Sequence, residues 1–187
     1  YNINNYLETL PESPLIITFG GAYSNHISAV SAAGNLSEIK TLGIIRGEEL
    51  EKKWRDNPTL VFAKRNGMNL KFVSREEYRH KEKLTEFLQH EFPEALIIPE
   101  GGTNKNAVQG VKMMLNNDTK DFDYLCTAVG TGGTLAGMSE FCEDNQKVIG
   151  FKVVEDSSLE SKISELTSKR NFHLTDAAFG GYGKIND

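Results

Sequence analysis

No apolar run in this 187-residue chain approaches the roughly 20 residues needed to cross a bilayer, and nothing at its start resembles a signal peptide. Basic charge is not in excess either. There are 21 Lys and Arg against 26 Asp and Glu, for a net charge of −5, so a nucleic-acid or anionic-membrane face is not expected. Cysteine is scarce: Cys126 and Cys142 stand without a CxxC pair or a paired His motif. They read as reduced core residues of a cytoplasmic protein, neither a disulfide framework nor a zinc site, and no metal site is expected. Internal repeats, low-complexity tracts and Pro/Ser-rich linkers are also missing. What remains is 39% hydrophobic and 25% charged, the balance of a soluble globular protein able to bury a core. The chain opens on Tyr1 and stops at Asp187 just after a glycine-rich stretch, and both ends look cut.

Short β-branched runs alternate with helical patterns along the chain. Strands are expected at residues 15–19, 40–46, 70–73, 95–98, 124–129, 148–154 and 172–174. Helices are expected at 24–33 (with Gly34 as the stop), from Asn57-Pro58 to near Gly67, and at 75–92, 104–115, 134–142 and 157–168. This alternation predicts an α/β fold with mostly parallel sheets and helices on both faces. A lobe boundary is expected near residues 99–105, where glycine-containing turns flank the regular pattern.

Parallel sheets place ligands where strands end and helices begin. Two such junctions carry unusual residues. After the first strand, Gly20-Gly21 let the chain turn sharply, and Ser24, Asn25 and His26 fall on the first turn of the next helix. Backbone N–H groups and the positive dipole end there suit a carboxylate or phosphate. The plain alternative is that Ser24 or Asn25 only caps the helix.

The second junction, Gly130-Thr131-Gly132-Gly133-Thr134, combines glycines and hydroxyls at a helix start, which suits a phosphate. A dinucleotide fingerprint would need glycine where Leu135 stands, and a Walker A loop would need lysine in place of Met138. A cofactor with a single phosphate fits better, and a glycine-rich turn without a ligand is the alternative. Weaker candidates are the turn from Pro99 and Glu100 to Thr103 and Asn104, and Tyr182 among glycines. His80 and His90 are expected in solvent on a charged helix, and His173 has no obvious partner.

Taken in order, Gly20-Gly-Ala-Tyr-Ser-Asn-His, Pro99-Glu-Gly-Gly-Thr-Asn, Val129-Gly-Thr-Gly-Gly-Thr and Gly181-Tyr-Gly resemble the 1-aminocyclopropane-1-carboxylate deaminase / D-cysteine desulfhydrase family. These are pyridoxal-phosphate enzymes with the tryptophan-synthase-β-like fold (fold type II). The resemblance implies a fragment of a two-lobed protein. Residues 1–100 would form mainly the small cofactor and substrate lobe, and 101–187 part of the large phosphate-binding lobe, with both ends truncated relative to the family. It further implies that Ser24 contacts the substrate carboxylate and assists proton transfer, that Asn25 bonds the phenolic oxygen of pyridoxal 5'-phosphate, and that His26 shapes the carboxylate pocket. Gly130, Thr131, Gly132, Gly133 and Thr134 would hold the cofactor phosphate. Tyr182 would face substrate as a base or a positioning hydroxyl.

Deaminases of the family carry a glutamine and a Thr-Arg pair around Ser-Asn. Here Tyr23 precedes the pair and His26-Ile27-Ser28 follows, which leaves β-elimination open beside cyclopropane ring opening. The Schiff-base lysine of the family would lie upstream of Tyr1, because Lys64 and Lys105 fall in other segments, and the ring-nitrogen contact would follow Asp187. The expectation is therefore the central part of a longer, cytoplasmic, homodimeric enzyme acting on a small amino acid, inactive as this chain alone. A β-replacing synthase, or a non-catalytic cofactor- or anion-binding module, are the alternatives.

Overall fold

Leu-Ile-Ile-Thr-Phe-Gly closes as strand β1 (Leu15–Gly20), buried over its last five residues because helices pack on both of its faces. The computed structural model describes residues 11–175, and they divide between Gly101 and Gly102 into two units.

In the first unit β1 is followed by α1 (Asn25–Leu36), β2 (Lys40–Arg46), α2 (Pro58–Arg65), β3 (Asn69–Val73), α3 (Arg75–Arg79), α4 (Lys81–Glu91) and β4 (Leu96–Ile98). Two short 3-10 turns, Glu48–Leu50 and Trp54–Asp56, fill the polar link after β2. The strands run parallel in the order β3-β2-β1-β4, with Ile17 opposite both Leu42 and Ile97. Their C-terminal ends therefore bring Gly20, Arg46, Val73 and Ile98 to one edge. On one face Ile17, Phe19 and Ile44 pack with Tyr78 of α3 and Leu88 of α4. On the other, Gly43 lets Ile27 of α1 and Met68 approach the sheet. Each fully buried Ile or Phe contributes about 1.5–3 kcal/mol.

Two local readings change. Gly34 does not stop α1, which runs on to Leu36. It is a packing glycine, since a Cβ there would lie 2.3 Å from Thr41 Cγ2. The single helix expected over 75–92 is two. Ser74 and Glu77 form a capping box that starts α3, and the backbone leaves helical geometry at His80 (φ −99°, ψ 50°) before α4 begins.

In the second unit α5 (Lys105–Val111), capped by Asn104, leads through a 3-10 turn (Lys112–Met114) and another (Asn117–Asp121) into β5 (Tyr124–Val129). Next come α6 (Gly133–Phe141), β6 (Lys147–Lys152), α7 (Leu159–Leu166) and β7 (Phe172–Thr175). Strands β5, β6 and β7 are parallel in that order. Leu125, Val129 and Val148 pack with Val108 of α5, Leu135 of α6 and Ile163 of α7. Tyr124, Cys126 and Ala128 point the opposite way and are exposed among the described residues. Cys126 is thus not the core residue its strand position suggests, whereas Cys142 is buried.

Candidate functional site

Gly20 ends β1 with no room for a side chain. A Cβ there would meet Ile27 Cγ1 at 2.5 Å and Ser24 Oγ at 2.8 Å, so only glycine lets α1 begin this close to the strand. Ser24 is the N-cap, and its Oγ accepts from the Ile27 N–H at 3.3 Å. The capping reading of Ser24 is therefore realised, and the hydroxyl proton is left for another acceptor. Asn25 follows on the exposed side, and His26 is half-buried. The structure thus places Ser24, Asn25 and His26 on one turn at the C-terminal edge of the sheet.

His26 is held from behind. Its Nε2 lies 2.7 Å from Thr18 Oγ1, while the Thr18 hydroxyl donates to the Ile98 carbonyl at 3.0 Å. A hydroxyl has one proton, so Thr18 accepts from His26, and the imidazole carries its proton on Nε2 with Nδ1 bare. Burial lowers the His26 pKa to about 4, partly opposed by the Glu100 carboxylate, so the ring is neutral near pH 7. Thr18 escaped the sequence reading, and its only signal was a hydroxyl inside an apolar strand.

Glu100 follows β4. The Tyr78 hydroxyl donates to its Oε1 at 2.8 Å and the Lys81 ammonium to its Oε2 at 2.5 Å. Burial pushes this carboxyl up, but the bonds from Lys81 and Tyr78, with Arg46 nearby, outweigh it and hold the pKa below the ordinary value. The Tyr78 phenol is driven upward by burial and by Glu100. The candidate turn at 99–104 is divided, with Glu100 in the first unit and Thr103 and Asn104 in the second.

In the second unit the loop between β5 and α6 is shaped by two close approaches. Gly132 has φ +89°, and a Cβ on it would stand 2.6 Å from Ile163 Cγ1. A Cβ on Gly133 would meet Thr103 Oγ1 at 3.0 Å, and the Thr103 and Thr131 hydroxyls are hydrogen-bonded to each other. A Cβ on Gly130 would meet nothing within 4 Å among the described residues. Helix α6 starts on Gly132 with no side-chain cap, as α4 and α7 also do on His80 and Ser158, whereas Ser24, Asn57, Ser74 and Asn104 cap α1, α2, α3 and α5. The Thr134 hydroxyl makes no hydrogen bond among the described residues. Uncapped N–H groups, a helix dipole, a hydroxyl left over and no carboxylate in the loop form a donor set that fits one phosphate group.

Tyr182 lies outside the described residues. His80, His90 and His173 are exposed. Among the described residues no group of three or more His, Cys, Asp or Glu could hold a metal ion, and no helix is long and apolar enough to cross a membrane.

No family model matches the chain. It is similar to the bifunctional D-cysteine desulfhydrase/1-aminocyclopropane-1-carboxylate deaminase, mitochondrial, of Arabidopsis thaliana, 33% identical over 143 residues, which are 66% of this chain and 35% of that protein. A putative 1-aminocyclopropane-1-carboxylate deaminase of Thermotoga maritima is 30% identical over 158 residues, 76% of this chain and 48% of that one. That of Pyrococcus horikoshii is 26% identical over 195 residues, 91% of this chain and 58% of that one. The chain thus spans between a third and three fifths of the length of these curated relatives. Among solved structures, an ACC deaminase homologue superposes with a TM-score of 0.71 at 26% identity, over 98% of this chain and 61% of that one. A cysteine synthase of Entamoeba histolytica shares the fold, with a TM-score of 0.63 at 17% identity over 84% of this chain and 47% of that one.

Proposed function

This chain belongs to the 1-aminocyclopropane-1-carboxylate deaminase / D-cysteine desulfhydrase family, and from that premise we propose that the whole protein is a pyridoxal-phosphate-dependent enzyme releasing an α-keto acid and ammonia from a small amino acid. The observation that carries the proposal is the uncapped start of α6 behind Gly130-Thr131-Gly132-Gly133-Thr134. In this reading those five residues hold the cofactor phosphate, and Asn25 bonds the phenolic oxygen. Pyridoxal phosphate, when bound, supplies an electron sink for negative charge at the substrate α-carbon.

The other steps belong to the chain's own groups. The N–H groups at the start of α1 and the Ser24 hydroxyl receive the substrate carboxylate. Ser24 has a proton to give, since its cap bond to Ile27 uses only a lone pair, and it assists proton transfer at the reacting carbons. His26 shapes the pocket as a neutral ring, and its bare Nδ1 accepts rather than donates. Tyr182 completes the proposal as a substrate-facing hydroxyl. A homodimer in the cytoplasm is the proposed form of the protein.

Cyclopropane ring opening and D-cysteine β-elimination are both kept, because Tyr23 precedes Ser24-Asn25 and His26-Ile27-Ser28 follows, where the family's deaminases carry a glutamine and a Thr-Arg pair around Ser-Asn. The test is to supply full-length, cofactor-loaded protein with each amino acid separately and to measure α-keto acid. Product from one identifies the activity, and product from neither removes both.

A further inference from the structure

We infer that a cavity at the C-terminal edge of the first unit's sheet binds a small oxyanion, a carboxylate or phosphate group, between Arg46 and Arg79. The cavity has a volume of about 450 Å³ and is lined by Arg46, Arg75, Tyr78, Arg79 and Lys81. Two of its four cations are already paired, Arg75 with Glu49 at 2.8 Å and Lys81 with Glu100 at 2.5 Å. Arg46 and Arg79 form no ion pair within 4.0 Å among the described residues, although Arg46 lies near enough to Glu100 to lower its pKa. Four cations and two carboxylates leave two positive charges in one cavity of a chain whose net charge is −5. Like charges gathered this way are unfavourable until an anion joins them.

One of the two free guanidinium groups is held in place before any ligand arrives. Arg46 lies over the Tyr78 ring, 5.7 Å from its centroid. Tyr78 is itself only 3% exposed, tied to Glu100 by its hydroxyl and met edge-on by Phe19. Such preorganisation lowers the entropy lost on binding. The planar fork of Arg matches carboxylate and phosphate oxygens in pairs. Apart from the Tyr78 ring the lining is polar, so the ligand is compact and charged rather than apolar. The cavity also adjoins the Ser24 turn, since a Cβ on Gly21 would stand 3.5 Å from Arg46 Nη2. The oxyanion therefore has two sources, the distal acidic group of an amino acid bound at that turn, or a free anion. The inference rests on the cavity and not on the proposed reaction.

The experiment titrates inorganic phosphate, and separately malonate, into the full-length, cofactor-loaded protein by calorimetry at low ionic strength, so that the α6 loop is already filled. Binding is expected, weakened about tenfold by Arg79→Gln with unchanged melting, and by Arg46→Gln with a small loss of stability from its contact with Tyr78, since each removes one charge-assisted pair. Lys83→Gln, on the exposed side of α4, leaves affinity unchanged. No binding at millimolar concentrations, or equal affinity in wild type and Arg79→Gln, overturns the inference. Kinetics with an acidic amino acid then distinguish the sources. A raised KM with unchanged kcat in Arg79→Gln assigns the site to the substrate, and a change confined to phosphate affinity assigns it to a free oxyanion. If no amino acid yields α-keto acid, the proposed function falls while the titration still decides this site.

Discussion

Ser24 uses one lone pair of its hydroxyl on the Ile27 amide and keeps its proton for a ligand, so its two roles can be separated by substitution. Ser24→Ala removes both, and about 1 kcal/mol of stability should go with the cap. Ser24→Asn preserves the cap, because Asn and Ser are equally good N-caps, but removes the hydroxyl. Melting should therefore stay near wild type in Ser24→Asn while α-keto acid production falls at least about tenfold, the worth of one hydrogen bond to a charged group. Unchanged turnover would reduce Ser24 to a cap. His26 gives a pH prediction. Its pKa is 6.5 in the unfolded chain and about 4 here, so between those values the unfolded state binds more protons. Stability should fall as pH drops from 6.5 towards 4, by on the order of 3 kcal/mol. Glu100, lowered by Lys81 and Tyr78 after burial raises it, acts in the same direction. His26→Gln should flatten this part of a pH series of urea melts. The Ser24-Asn25-His26 turn was legible because three polar side chains follow a double glycine. Thr18 and the Tyr78–Glu100–Lys81 cluster were not, because Thr18 meets Ile98 across 80 residues of chain and Tyr78 meets Glu100 across 22.

Among elements, strands were the most readable. The β-branched runs at 40–46 and 124–129 coincide with β2 and β5. Helix ends were harder, because glycine has more than one use. Gly34 has the residue type of a stop but serves the approach of α1 to β2. Replacing a glycine by alanine within a helix ordinarily gains about 0.5–1 kcal/mol. Gly34→Ala should instead lose about 1–3 kcal/mol in urea denaturation, because the new methyl overlaps Thr41 in a packed layer. A gain would mean that α1 shifts freely on the sheet. The break between α3 and α4 had no proline or glycine to announce it, and the exposed face of β5 that carries Cys126 was hidden by an almost wholly apolar run, YLCTAV.

At the scale of the whole molecule, two units each carry one candidate turn at the junction of a strand and a helix. The Ser24 turn precedes an alternating β/α pattern that the sequence displays openly, and the glycines and hydroxyls of the Gly130 loop suit a single phosphate better than a dinucleotide or a nucleoside triphosphate, with a ligand-free turn as the alternative. Neither turn identifies the amino acid of the proposed reaction, because specificity depends on side chains gathered from distant segments. The central claim is that the α6 loop holds the cofactor phosphate, and the most direct measurement is the affinity of the full-length protein for pyridoxal phosphate with and without Thr134→Val. This change removes a hydroxyl that bonds nothing else among the described residues and keeps the shape. The account predicts affinity lower by at least about tenfold, with melting of the cofactor-free protein unchanged. Equal affinity in the two proteins would contradict it.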